Sequence, residues 1–150
     1  MVHALYEAWR VLVPQGILFD LRPLSNDMPL EILFSGGCES AGLVDLSPDI
    51  EHDIAADQAI NIAVSEGIFK ELKSEVFDYR YYWNNVEEMK ADLDEEWKDD
   101  VILPDEVLQR AFFLFNNHPG QSRVRFPLQM KLGKFVKQEP VGWSEKPLAR

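Results

Sequence analysis

The sequence predicts an α/β fold, helices packed on a sheet with a β-hairpin inserted. Three observations predict it. First, Ile17, Leu18, Phe19 and Leu21 form a short, nearly all-apolar run directly after a proline-glycine turn. Such a run is the signature of a parallel-type strand covered on both faces, as in α/β sheets. Second, residues 68–83 and 122–137 carry period-two patterns long enough to be strands. Third, the segments between them place apolar residues at helical spacing.

Each element follows from its residues. Leu5, Ala8, Trp9 and Leu12 share one face of a first helix, with Glu7 and Arg10 able to pair on the other side. Val13-Pro14-Gln15-Gly16 ends it, and a type I turn tolerates glutamine in that place. The strand of Ile17 to Leu21 follows, closed by Asp20, Arg22 and Pro23. Leu30 to Phe34 and a weaker run through Leu43, Val44 and Leu46 flank Gly36-Gly37, which favours a hairpin. Ser47-Pro48 opens a helix as N-cap and first residue, followed by Asp49, Glu51 and Asp53 at the positive end of the dipole. It runs to about Glu66, with Gly67 as its stop and Ala56, Ala59, Ile60, Ala63 and Val64 as a packing stripe.

In the strand 68–83, Phe77, Tyr79, Tyr81 and Trp83 share one face, and Val76, Asp78, Arg80 and Tyr82 the other. Asn84 with Glu87 resembles a capping box that starts a helix with Val86, Met89, Leu93 and Trp97 inward. Another helix starts near Pro104, with Val107, Leu108, Ala111, Phe112 and Phe115 inward, and Asn116-Asn117-His118-Pro119-Gly120 stops it. In the last strand Val124, Phe126, Leu128, Met130 and Leu132 alternate with Arg123, Arg125, Gln129 and Lys131. Residues 1–137 therefore read as one domain and 138–150 as a loose tail.

Composition narrows the function classes. The chain has 150 residues, 46% hydrophobic, which suffices for a real core. No apolar run reaches the length of about 18 residues that suggests a membrane helix. The opening residues lack the pattern of a signal peptide, so a cytoplasmic location is expected. A single cysteine, Cys38, excludes an internal disulfide framework. The formal charge of −11 disfavours binding to nucleic acid or to anionic lipid. No His, Cys and Asp cluster has metal-ligand spacing.

The run Glu7-Ala8-Trp9-Arg10-Val11-Leu12-Val13-Pro14-Gln15-Gly16-Ile17-Leu18-Phe19-Asp20 resembles the class I S-adenosylmethionine-dependent methyltransferases of the type 11 kind. There an E-x-x-R-V-L-x-P-G-G pattern leads into the fifth strand of the sheet. Glu7, Arg10, Val11, Leu12, Pro14 and Gly16 match, and Gln15 stands where the family has glycine. The resemblance implies a partial Rossmann-like methyltransferase sheet, the fifth to seventh strands with the last antiparallel. Residues 68–83 and 122–137 would be the sixth and seventh. The family's cofactor half, a strand followed by a glycine-rich loop, has no counterpart here. The resemblance therefore implies no S-adenosylmethionine on this chain alone, unless a partner chain supplies the missing half.

No catalytic residue is identified. Asp20 and Arg22 stand at the carboxyl end of the central strand, where ligands sit in open α/β sheets. The plain reading is a local salt bridge or a helix-capping role. Tyr81, Tyr82 and Trp83, with Tyr79, would line an aromatic substrate pocket, or serve as ordinary strand packing. Cys38 has no histidine at a defined distance. Residues 87–100 read as a solvated acidic helix face. Two functions are expected as alternatives. One is an incomplete methyltransferase-like domain, a remnant or one part of a two-chain enzyme. The other is a non-catalytic interaction protein that dimerises or pairs with a partner through the edge at Ile17, Phe19 and Leu21.

Overall fold

The structure, a computed structural model, describes residues 1–118 and 120–139. The elements, in chain order, are α1 (Val2–Val11), β1 (Ile17–Pro23), β2 (Met28–Phe34), β3 (Gly37–Val44), α2 (Ile50–Ser65), β4 (Phe69–Trp83), α3 (Val86–Glu96), α4 (Asp105–Asn117) and β5 (Arg123–Lys137). They make a mixed α/β fold with an open, antiparallel five-stranded sheet among the described residues. Its hydrogen-bonding order is β1-β5-β2-β3, and β4 pairs with β5. The chain forms two compact units. The first contains Met1–Arg22, Ile54–Val76 and the end of β5 from Lys131; the second contains Pro23–Asp53 and Phe77–Met130.

In the first unit, Leu5, Tyr6, Trp9 and Leu12 of the α1 segment pack with Leu18, Ile60, Ala63, Val64, Ile68, Phe69 and Phe135. The Trp9 indole N–H donates to the Gln138 carbonyl at 2.7 Å. The Lys137 ammonium donates to the Leu12 carbonyl at 2.8 Å and lies 4.5 Å from the centre of the Trp9 ring. It thereby satisfies an orphan carbonyl at the end of α1. Gly16 N–H closes the next turn on the Val13 carbonyl at 2.8 Å, with Gln15 at φ 62°. This corrects the expected type I turn: the third position is left-handed, where glycine is at ease and glutamine is not.

The expectation of a buried, parallel-type β1 is also corrected. Its neighbour β5 runs antiparallel, with Lys137 N–H on the Gly16 carbonyl at 2.8 Å. Leu18 joins the core, but Ile17, Phe19 and Leu21 are 37%, 60% and 58% exposed. An apolar run records hydrophobicity, not how many faces are covered. In α2, Ala59 and Ala63 are buried as their spacing predicts, and Gly67 takes φ 74° just past its end. Gln138 N–H donates to the Ile68 carbonyl at 2.9 Å, and the tail from residue 140 lies outside the described residues.

In the second unit, β2 and β3 form the expected hairpin, turning through Ser35 and Gly36. Leu30 pairs with Gly42 and Glu31 with Ser40, so Ala41 is an extra residue in a bulge. Gly42 has φ 140°, and a Cβ there would lie 2.7 Å from Val107 Cγ2. Both facts require glycine. The Ser47 side chain does not cap the 3₁₀ turn Ser47–Asp49; Asp45 Oδ1 instead accepts the Ser47 N–H at 2.8 Å. The cap of α3 is Asn85, one residue later than expected, accepting the Glu88 N–H at 2.7 Å. Glu88 accepts the Asn84 N–H in return at 3.0 Å.

Val86, Met89 and Leu93 of α3, Val107, Ala111 and Leu114 of α4, and Leu30, Ile32, Val124, Phe126 and Leu128 of the strands make this unit's core. Leu108, Phe112 and Phe115 pack at its margin. Burial along β5 alternates as predicted at Val124 and Phe126, but Phe135, of the other parity, is its contribution to the first unit's core.

Candidate functional site

Asp20 and Arg22 belong to the first unit, and the structure brings them together. The Arg22 guanidinium contacts Asp20 at 3.2 Å and also donates to Asp57 of α2. Lys131 of β5 donates to the same Asp57 oxygen at 2.6 Å. Burial acts to raise the Asp57 pKa, but hydrogen bonds from Lys131 and Arg22 outweigh it and hold the carboxyl below its ordinary range. Burial likewise acts to lower the Arg22 pKa, and Asp57 and Asp20 more than reverse it. Two acids and two bases thus compensate one another. The arrangement orders β1 against α2 and keeps Asp57 and Arg22 charged, so neither is a poised acid or base.

The aromatic candidates belong to the second unit and do not form one set. Tyr81 and Trp83 stack with centroids 6.0 Å apart, and Tyr79 meets Tyr81 edge-on at 5.0 Å. Trp83 is buried and its indole N–H donates to Asp92 at 2.8 Å, a packing role. Tyr82 lies apart from them, with the Arg123 guanidinium 5.1 Å from its ring centre. The shared pocket expected for Tyr81, Tyr82 and Trp83 is therefore corrected to Tyr81 alone.

Tyr81 lines a cleft of about 170 Å³ in this unit, with Pro23, Leu24, Ser25, Leu46, Asp49, Glu96, Trp97, Asp100, Val101, Leu128 and Met130 around it. Trp97 packs edge-to-face with Tyr81, at 4.8 Å between centroids and 86° between planes. Burial, then Tyr79 and Asp92, raise the Tyr81 pKa, so its phenol stays protonated. Ser25 donates its N–H and its hydroxyl to Asp53, at 2.7 and 2.8 Å. Asp49 accepts from His52 at 2.5 Å.

Residue-by-residue reading missed Trp97, Glu96, Asp100 and Asp49 as neighbours. Glu96 read as solvated face and Trp97 as core stripe. The contact that assembles them is the antiparallel bridge of Asp45 with Ile102, through hydrogen bonds of 3.0 and 2.8 Å. No local pattern announces a single bridge between segments so far apart.

Among the described residues no group of three His, Cys, Asp or Glu side chains could hold a metal ion. Cys38 is exposed, with the Arg125 guanidinium 3.6 Å from its sulfur. Two basic residues of β5 are answered within the chain: Arg125 pairs with Glu31 at 2.5 Å and Lys131 with Asp57. No helix among the described residues is long and apolar enough to cross a membrane. No protein-family model, curated protein or solved structure matches the chain.

Proposed function

We propose that this chain is a methyltransferase-like domain of the class I S-adenosylmethionine-dependent kind, incomplete, and unable to bind the cofactor by itself. It is a remnant of such an enzyme or one part of a two-chain methyltransferase. The observation that carries this reading is the state of β1. It stands at the end of the hydrogen-bonding order, and Ile17, Phe19 and Leu21 remain exposed. In a complete sheet of that family the fourth strand would pair there. The antiparallel last strand, which pairs with both β1 and β4, agrees with the role of a seventh strand.

The residues present do not fit the cofactor. Gly36 lies in the two-residue turn Ser35-Gly36 of the β2–β3 hairpin, Gly37 opens β3 and pairs with Phe34, and no helix begins there. A loop that cradles a nucleotide must approach it with backbone N–H groups at a helix start. Isothermal calorimetry on the full chain should therefore give no heat with S-adenosylmethionine. Micromolar binding would overturn the reading.

A second reading rests on the same exposure. An unpaired edge beside apolar side chains is a template for pairing. A non-catalytic interaction protein that dimerises or takes a partner strand at Ile17 to Leu21 would use it directly. Sedimentation separates these outcomes: a dimer dispersed by Phe19→Lys with Leu21→Lys supports self-association. A clean monomer at high concentration, with no second chain co-purifying, removes it.

A further inference from the structure

We propose that the protein pairs with a second copy of itself through the outer edge of β4, in its first-unit part from Phe69 to Val76, with Ser74 on the two-fold axis. This surface is separate from the edge at β1 and does not rest on the methyltransferase-like reading. Among the described residues β4 pairs with β5 alone. Lys70 to Val76 are all exposed, on both faces of the strand. Gln138 N–H donates to the Ile68 carbonyl on the β5 side. By antiparallel alternation Leu72, Ser74 and Val76, of the same parity as Ile68, turn their backbone groups to β5. Lys73 and Glu75 turn theirs outward, and among the described residues no backbone bond outside the sheet engages them. Such an edge is a template for another strand, and this one holds neither proline nor glycine to spoil it.

The charges choose both the partner and the register. Two identical antiparallel edges meet about a two-fold axis, so residues equally distant from the central one lie opposite each other on one face. With Ser74 central, Lys73 of each copy meets Glu75 of the other, and Leu72 of each meets Val76 of the other. Opposite charges and apolar side chains so placed stabilise a sheet, and like charges destabilise it. Other centres fare worse. Lys73 at the centre sets lysine on lysine and Glu71 on Glu75, and a central Glu71 or Glu75 sets glutamate on glutamate. Leu72 at the centre matches Glu71 with Lys73 but sets Glu75 against the buried Phe69. Val76 at the centre separates Lys73 from Glu75. A foreign strand has no reason to carry the matching pattern, whereas a second copy always does.

The backbone agrees with that register. Lys73 and Glu75 of opposite copies become hydrogen-bonded pairs, each exchanging two N–H···O bonds, and Ser74 faces Ser74 as a non-hydrogen-bonded pair with Cα atoms about 4.5 Å apart. Leu72 and Val76, exposed in the single chain, come together on the face opposite Phe69. On the other face Lys73 and Glu75 already pair within one strand. The dimer joins two such pairs into a cluster of alternating sign. The paired edge is short, so the association is weaker than that of a permanent interface.

The test is sedimentation of the full chain from about 10 to about 500 μM, a range suited to a small interface. A monomer–dimer equilibrium is expected. Lys73→Glu alone and Glu75→Lys alone each put like charges opposite one another, and each should weaken the dimer at least about tenfold. An equimolar mixture of those two variants should pair again, because each supplies the charge the other lacks, and this recovery shows that both are folded. Ser74→Cys in a Cys38→Ser background should form a disulfide-linked dimer with oxidised glutathione, faster than Leu72→Cys or Val76→Cys, whose like positions the axis sets apart. Phe19→Lys with Leu21→Lys should leave this dimer unchanged. A monomer throughout would overturn the proposal, as would charge reversals without effect or a mixture that stays monomeric. A dimer dispersed by the β1 substitutions and not by the charge reversals would overturn it too, and leave pairing at β1 standing.

Discussion

Replacing Gln15 by glycine should stabilise the protein, although it removes a side chain and adds no contact. Gln15 holds φ 62° in the turn whose Gly16 N–H reaches the Val13 carbonyl. A side chain in the left-handed region costs about 1–2 kcal/mol. Glycine escapes that cost but gives the unfolded chain more freedom, worth about 0.4–1 kcal/mol against it. The net gain is about 0.5–1 kcal/mol, or a rise in Tm of roughly 1–4 °C for a domain of this size. Gln15→Val sharpens the test, because a β-branched residue is worse than glutamine at positive φ and should lose at least about 1 kcal/mol. Urea unfolding followed by circular dichroism gives both values, provided the slope with denaturant stays constant. If Gln15→Gly is neutral or destabilising while Gln15→Val is tolerated, the turn is not left-handed in solution and the argument fails.

Gly42→Ala should cost about 2–5 kcal/mol, combining strain at its φ of 140° with the close approach of Val107 Cγ2. In a Val107→Ala background the contact part should vanish, leaving a coupling of about 1 kcal/mol or more; a coupling of zero in the double-mutant cycle would show that the contact is not the cause. The hydrogen bond from His52 to Asp49, then the Asp49 charge, raise the His52 pKa above its free value. A proton is thus held more tightly when folded, so this small stabilisation is full below the unfolded pKa of about 6.5 and is lost as pH rises through the folded value. A proton NMR titration should show a His52 midpoint above that of a free imidazole, returning toward it in Asp49→Asn; an unchanged midpoint in the variant would refute the pairing.

Local chemistry was the legible part of the chain. The small-residue stripe of α2 announced Ala59 and Ala63 as buried, and the alternation of β5 announced Val124, Phe126 and Leu128. Glycine pairs and turn residues placed the hairpin. Properties that depend on distant partners were not legible. The cap of α3 moved from Asn84 to Asn85 because either asparagine can cap, and only the inward direction of Val86 decides between them. The change of parity at Phe135 depends on which core the strand meets, which no period-two pattern contains. Asp20 and Arg22 were visible as a pair, but Asp57 and Lys131, which complete their network, come from two other elements. The cleft was hidden for the same reason: Tyr81 was in view, while Trp97 was assigned wholly to packing.

The cation from Lys137 that closes the end of α1 has a consequence for how this chain is made. The ammonium reaches the Leu12 carbonyl across 125 positions of sequence. At a synthesis rate of about 5–20 residues per second, roughly 6–25 s pass between the appearance of Leu12 and that of its partner. During that interval the ribosome-bound chain carries a helix without its terminal donor and an apolar strand without the neighbour that orders it. Nascent chains stalled just short of Phe135 should remain sensitive to protease near residue 15, and chains released past Lys137 should not. A residue made late in this span is the one that secures a helix made early in it.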